Sequence, residues 1–157
     1  MYRIQFVMIT NKEVLKDRLM SKGIKPTYQR TAVLGFFQNN RTHPTIKSLH
    51  DSLVKTIPTL SKTTLYSTLE LFAAKGLVAP LTIDRSEVRY DGLASSHHHF
   101  FCERCGRIID VDVSCVNGRR GEIDGHRIRE VHGYFKGICK DCVKQTYKTN
   151  KRRIINA

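Results

Sequence analysis

The sequence has no apolar run near the roughly 20 residues that a membrane-spanning helix needs, so it predicts a protein with no membrane segment. The first residues, MYRIQFVM, also lack the basic flank and the small-residue cleavage site of a secretory signal peptide. We therefore expect a cytoplasmic protein whose thiols stay reduced. Met8 is an alternative start, which would make residues 1–7 a dispensable extension.

Acidic side chains are scarce, with 14 Asp and Glu against 27 Lys and Arg among 157 residues. Residues 1–90 hold 14 basic and 6 acidic side chains, and residues 143–157 hold 5 basic and none acidic. Residues 91–142 hold 8 of each. The basic charge therefore favours a nucleic-acid surface in the N-terminal half rather than in the middle of the chain.

Four of the five cysteines form two Cys-x-x-Cys pairs, Cys102/Cys105 and Cys139/Cys142, separated by 33 residues. This spacing is typical of one tetrahedral Zn²⁺ site with a structural role, one ion per chain. Redox-active dithiols or a disulfide framework are the alternatives, but no thioredoxin-like βαβ pattern surrounds the pairs. Cys115 is left over, and we interpret it as a buried structural thiol.

Residues 1–90 show the pattern of a winged helix-turn-helix domain. The first helix carries an apolar stripe of Val14, Leu15, Leu19 and Met20. Two strands after the last helix, joined at Asp84-Arg85-Ser86, form a hairpin with a basic tip. The helices are expected at Asn11–Lys22, Pro26–Asn40, Thr45–Pro58 and Ser61–Gly76, and the strands at Leu77–Ile83 and Glu87–Asp91.

The helix from Ser61 to Gly76 is the candidate recognition helix, with Leu65, Leu69 and Phe72 on its buried face. A generic helical domain with a solvated basic face is the alternative, and in that case Tyr66 could be a core residue. The predicted contacts with double-stranded DNA are Lys62, Thr63, Tyr66 and Ser67 on the helix and Arg85 at the wing tip.

A second metal site is indicated by His97-His98-His99, which follows the small and polar hinge segment 91–96. In a strand, alternate side chains share a face, so His97 and His99 project together. Asp110, on the next strand, could add a carboxylate to that face. Such ligands fit Fe²⁺, Mn²⁺ or Zn²⁺. A solvated histidine tract on the surface is the alternative.

The order of these motifs resembles the ferric uptake regulator family of metal-dependent bacterial repressors, from about Leu15 to Cys142. The resemblance implies an α+β chain in which a winged-helix domain precedes a small α/β dimerisation domain with structural zinc. The matching pieces are KPTYQR at 25–30, HPT at 43–45, residues 60–78, RYD at 89–91, HHHFFCERCGRIID at 97–110 and GICKDC at 137–142.

The family resemblance also implies partners and a division of the chain. The protein is expected to be a homodimer that binds a palindromic operator in double-stranded DNA. The implied regions are a DNA-binding domain at 1–90 with an extension at 1–10, a hinge at 91–96, a dimerisation and metal-binding domain at 97–145 and a basic tail at 146–157. The implied ligands of one regulatory Fe²⁺ or Mn²⁺ per chain are His43, Asp91, His97, His99 and Asp110.

Within the family, Asp110 together with His43 and His97 resembles the peroxide-sensing repressors, because iron-sensing members usually carry glutamate at that position. Bound Fe²⁺ would then react with hydrogen peroxide and oxidise His43 or His97, which releases DNA. An iron- or zinc-responsive homeostasis repressor is the alternative. A hydrolytic metalloenzyme is a third hypothesis, but the sequence shows no general base beside an open metal position.

Two departures from the family pattern concern specificity. Ser67 stands where iron regulators often place arginine beside the recognition tyrosine. The second sensory site of iron and zinc regulators has no clear match, with Ser96, His98 and Val131 at its positions. Glu122, His126 and His132 are therefore expected to be surface or packing residues.

Overall fold

The computed structural model describes residues 2–83, 87–92, 97–113, 121–127 and 133–145, with side chains left out at 2–11 and 123. The chain divides into two compact units, residues 1–94 and 95–157. In the part described, no helix is both long and apolar enough to span a membrane. The predicted features that lie outside the described residues are the wing tip 84–86 with Arg85, hinge residues 93–96, Cys115, Val131, His132 and the tail 146–157.

The described residues of the first unit include four helices, and side-chain caps begin three of them. Thr27, Thr45 and Ser61 each accept a hydrogen bond from the backbone N–H three residues further on, which satisfies an amide at the helix start. The helices are α1 (Tyr2–Ser21), α2 (Tyr28–Asn39), α3 (Ile46–Leu53) and α4 (Lys62–Ala74).

The core of this unit contains the predicted inner face of α4, because Leu65, Leu69 and Phe72 are all fully buried. The predicted stripe of α1 was partly wrong. Leu15 and Leu19 are buried one turn apart, whereas Val14 and Met20 are 56% and 55% exposed. Each of these two residues adjoins a buried one in sequence and therefore lies about 100° around the helix from it. Helix α1 also begins at Tyr2 rather than at Asn11.

The wing strands are shorter than predicted, β1 at Ala79–Leu81 and β2 at Arg89–Asp91, paired antiparallel. Leu77 and Val78 are buried in the helical core, and the Leu77 N–H donates to the Phe72 carbonyl in the last turn of α4. Pro80, in the middle of β1, has no N–H to donate to a ladder. Strand β2 also contacts the chain before α3, where the Tyr90 N–H donates to the Pro44 carbonyl at 3.0 Å.

The second unit is built on a mixed sheet in the order β4–β3–β7. Strand β3 pairs antiparallel with β4 and parallel with β7. Strands β5 and β6 form a small hairpin, and residues 140–145 are helical. The strands are β3 (His98–Cys102), β4 (Ile108–Val111), β5 (Glu122–Ile123), β6 (His126–Arg127) and β7 (Tyr134–Gly137).

Candidate metal centres and nucleic-acid interface

The two Cys-x-x-Cys pairs meet in the second unit. Cys102 ends β3, Cys105 follows in a turn, and Cys139 and Cys142 lie at the start of the helical segment 140–145. Their sulfur atoms all lie within 4.8 Å of one another, and the Cys105 and Cys139 Sγ atoms are 3.9 Å apart. A tetrahedron with Zn–S bonds of about 2.3 Å has edges of about 3.8 Å. None of the four cysteines forms a disulfide bond, so the disulfide alternative is wrong for these residues.

Backbone hydrogen bonds shape the first cysteine turn. The Gly106 N–H donates to the Cys102 carbonyl at 2.8 Å, and the Cys102 N–H donates to the Arg107 carbonyl at 2.9 Å. Gly106 has φ 68°, in the left-handed region that glycine adopts without a Cβ penalty. The Cys139 N–H donates to the Cys102 sulfur at 3.3 Å, so a hydrogen bond links the two pairs directly.

The thiols of this cluster do not ionise equally without a metal. The backbone N–H of Cys139 lowers the pKa of Cys102 to about 6, and the Arg107 side chain lowers the pKa of Cys105. Burial, together with the neighbouring sulfurs, raises the pKa of Cys142 to about 12. A divalent cation is therefore needed for all four to be thiolates at neutral pH.

In the same unit, His97, His99 and Asp110 form a second cluster. The Nε2 atoms of His97 and His99 lie 3.3 and 3.8 Å from Asp110 Oδ1. The β3–β4 register places His99 opposite Asp110, and the two imidazole rings are 4.6 Å apart between centroids. His98 makes different contacts, with its Nδ1 3.4 Å from the Gly133 carbonyl and its ring beside Phe135. The alternation expected for this histidine tract is therefore present.

In the first unit, His43 and Asp91 form a buried pair, with His43 Nε2 3.8 Å from Asp91 Oδ1. His43 is 2% exposed and has φ 46°, a left-handed conformation that is costly for a residue with a Cβ. The bond from Tyr90 to the Pro44 carbonyl holds the two chain segments side by side. Glycine at 92 is required next to Asp91, since a Cβ there would lie 2.6 Å from Phe37 Cβ.

The donor sets of these clusters differ in chemistry. Four thiolates at tetrahedral separations suit Zn²⁺. Imidazole nitrogens and carboxylate oxygens suit Fe²⁺, Mn²⁺ or Zn²⁺ with weaker, exchangeable binding. The residues present therefore fit one structural and one exchangeable metal. Two other residues of the second unit, Glu122 and His126, are exposed, as expected for surface residues.

The outer face of α4 is polar and exposed. Lys62, Thr63 and Ser67 are exposed, and Tyr66 is 58% exposed. The alternative in which Tyr66 is a core residue is therefore wrong.

A cleft of about 340 Å³ opens beside this face. Lys47, in the first turn of α3, contributes a second basic side chain to the cleft, and the sequence analysis missed it. Its position in the first turn of the helix that precedes the candidate recognition helix is the sequence signal that could have indicated Lys47. The cleft is lined by Thr45, Ile46, Lys47, Lys62, Tyr66, Glu87, Val88 and Tyr90.

Known proteins with a similar sequence or fold indicate the family of this chain. The Ferric uptake regulator family matches residues 21–136. The chain is 31% identical to the peroxide operon regulator of Bacillus subtilis, over 85% of this chain and 94% of that protein. It is 32% identical to the peroxide-responsive repressor PerR of Staphylococcus aureus, over 79% and 86%.

The ferric uptake regulator of Helicobacter pylori has the same fold, with a TM-score of 0.68 at 22% identity. The match covers 85% of this chain and 92% of that one. The chain therefore belongs to the ferric uptake regulator family.

Proposed function

We propose that this chain is a DNA-binding transcriptional repressor that depends on a metal ion and responds to peroxide. Two relatives that the chain matches over most of its length are named as peroxide regulators, which supports this response. They are regulators rather than enzymes, so the metalloenzyme hypothesis is not retained. Action in the cytoplasm stays a prediction.

The cluster of four cysteines is proposed to hold one Zn²⁺ per chain in a structural role. Its sulfur separations and its reduced state support this role. The cluster ties the end of β3 to the helical segment 140–145, so the ion cross-links two parts of the second unit. Such sites contribute directly to the free energy of folding.

The regulatory ion is proposed to be Fe²⁺ or Mn²⁺, bound by His43, Asp91, His97, His99 and Asp110. The observation that carries the proposal is the position of Asp110 Oδ1 close to both His97 and His99. The buried pair of His43 and Asp91 in the other unit would supply the remaining two ligands that the family resemblance implies. Neither cluster alone offers more than three residues. An ion that takes ligands from both units would fix their relative orientation and hence the separation of the two α4 helices in a dimer.

Bound Fe²⁺ supplies the electrons that activate hydrogen peroxide. By the family resemblance, the ring of His43 or His97 would take one oxygen atom from hydrogen peroxide, whose other oxygen would leave as water, and the oxidised ring would be 16 Da heavier. An oxidised imidazole is a poorer ligand, so the metal-dependent orientation is lost and the operator is released. Carboxylates resist this oxidation, which leaves the histidines as the sensing residues.

Dimerisation is assigned to residues 97–145 and DNA binding to residues 1–90, with residues 91–96 as the hinge. Strand β7 ends the sheet order, and exposed apolar side chains lie on and after it, which supports a dimer surface. A homodimer would read a palindromic operator with its two α4 helices. The exposed apolar residues are Tyr134, Phe135, Ile138 and Val143.

Operator binding with and without added Mn²⁺ tests this function. Wild type should bind tightly only with the metal. His97→Ala and Asp110→Ala should keep zinc and the dimer but lose the metal response, whereas His126→Ala, an exposed histidine of the same unit, should behave as wild type. If the metal-free wild type binds the operator as tightly as the Mn²⁺ form, the proposed metal dependence is wrong.

A further inference from the structure

We propose that Arg107 is a positioning residue that holds the thiolates of Cys105 and Cys139 on the structural zinc and slows loss of the ion. This inference rests on the zinc site proposed above. It assigns to Arg107 a role in zinc retention that is separate from the regulatory site and from DNA binding.

The guanidinium of Arg107 contacts one sulfur from each cysteine pair. Its Nε donates to Cys105 Sγ and its Nη2 donates to Cys139 Sγ, both at 3.4 Å. Nη2 also donates to Asp141 Oδ2 at 2.7 Å. The planar fork of a guanidinium can make these contacts together, whereas a lysine ammonium is a point charge on a flexible stem. Arg107 therefore bridges the two halves of the cluster.

The contact between Arg107 and Asp141 orients the guanidinium in addition to forming a surface ion pair. Both side chains are about half exposed, at 53% and 49%, so the pair by itself contributes little stability. Asp141, however, lies between Cys139 and Cys142 in sequence, and its carboxylate orients the guanidinium towards the sulfurs. The Arg107 carbonyl also accepts the Cys102 N–H, which fixes its backbone to the same cluster.

Cys105 is the sulfur that most needs this contact, since it is the exposed member of the four. Four thiolates on Zn²⁺ carry a net charge of −2, and an exposed thiolate is the one that a proton or an electrophile reaches first. A donated N–H···S bond draws electron density from the sulfur and makes it less basic and less nucleophilic. Loss of zinc begins when one thiolate dissociates, so Arg107 should slow the first step.

The test is the rate at which the full-length zinc-loaded protein transfers its ion to a chromogenic chelator in excess. Arg107→Ala should release zinc about 10- to 100-fold faster than wild type, the usual effect of losing a partner that orients a metal ligand. Arg107→Lys should recover little of the wild-type rate. Asp141→Asn, which leaves the guanidinium in place but not anchored, should lie between wild type and Arg107→Ala.

Lys140→Ala is the matched control, because it removes a positive charge beside Cys139 and Asp141 without removing the directed bonds. Its release rate should stay close to that of wild type. An equal acceleration in Lys140→Ala and Arg107→Ala would mean that net charge, not positioning, controls release, and would overturn the inference.

A spectroscopic readout separates this role from a general loss of structure. In Co²⁺-substituted protein, Arg107→Ala should move the sulfur-to-cobalt charge-transfer band to longer wavelength while the d–d bands of a tetrahedral site stay in place. If Arg107→Ala has the wild-type rate of zinc release and the wild-type charge-transfer band, the proposed role of Arg107 is overturned, but the proposed zinc site is not. Failure of wild type to hold zinc against the chelator at all would instead refute the proposed site.

Discussion

Replacement of Gly92 by alanine should damage the first unit and its metal ligands together. The added Cβ would lie 2.6 Å from Phe37 Cβ and 3.1 Å from two atoms of the Phe37 ring. Ordinary contact begins near 3.4 Å, so the overlap is close to 1 Å. Phe37 Cβ is attached to the backbone of α2 and the residue is only 4% exposed, so the side chain has no room to turn away. The segment after Asp91 must move instead.

The expected cost is that of overpacking a core, about 1–3 kcal/mol of the free energy of unfolding. For a unit of 94 residues, each kcal/mol lowers the melting temperature by roughly 4–8 °C. The shift also displaces Asp91 from its place beside His43, so Mn²⁺ affinity should fall by roughly tenfold or more. The zinc content, which depends on the other unit, should not change.

Gly35→Ala is the control, measured by the same thermal unfolding and Mn²⁺ titration. There the added Cβ would meet only Leu15 Cδ1, at 3.2 Å, and a small shift of that methyl group relieves the contact. Alanine is also better than glycine inside a helix by roughly 0.5–1 kcal/mol, so this variant should be as stable as wild type. If Gly92→Ala unfolds at the wild-type temperature and binds Mn²⁺ normally, the close approach to Phe37 does not position Asp91.

Three further changes test the zinc and the DNA surface. Cys139→Ser should abolish stoichiometric zinc and destabilise the dimer, measured by metal analysis and sedimentation; one retained tight zinc would rule out a shared four-cysteine site. Tyr66→Ala should lower discrimination between operator and random DNA by about 1–3 kcal/mol at unchanged stability, and unaltered discrimination would remove Tyr66 from the readout. Lys47→Gln should weaken binding to all DNA sequences and reduce the slope of log binding constant against log salt concentration by about 0.9. Lys55→Gln, outside the cleft, should leave this slope unchanged. The same slope in Lys47→Gln as in wild type would mean that the cleft binds no phosphate.

Most of the helical unit could be predicted from sequence, because local rules determine it. The expected helix starts at Thr45 and Ser61 coincide with the observed N-caps of α3 and α4, and the apolar spacing oriented α4 correctly. The stripe of α1 was partly wrong because apolar residues occur on two faces, and only the packing of Leu15 and Leu19 decides between them. The lengths of the wing strands were overestimated, since a short apolar run can pack in the helical core instead of extending a β-strand.

The four-cysteine cluster and the pairing of His97 with His99 were predictable because their residue types are rare and their spacing is regular, whereas His43 and Asp91 were expected only from the family resemblance. The residues that support these clusters could not be predicted from the sequence. Arg107 and Gly92 act through contacts with Asp141 and Phe37, which are distant in sequence, and nothing local distinguishes this arginine or this glycine from others. The unusual backbone of His43, with φ 46°, also had no signal in the sequence, since the proline that follows it favours extended backbone at this position.

Oxidation of a histidine ligand is proposed to release the operator. The direct measurement treats the Fe²⁺-loaded, zinc-containing dimer with stoichiometric hydrogen peroxide and follows operator binding and peptide masses in the same sample, with the Mn²⁺-loaded protein and Asp110→Glu as controls. We expect DNA release with a 16 Da increase on a peptide that contains His43 or His97, in the Fe²⁺ wild type alone. Loss of DNA binding with both histidines unmodified, or an increase of 16 Da on either histidine with full retention of binding, would contradict this account.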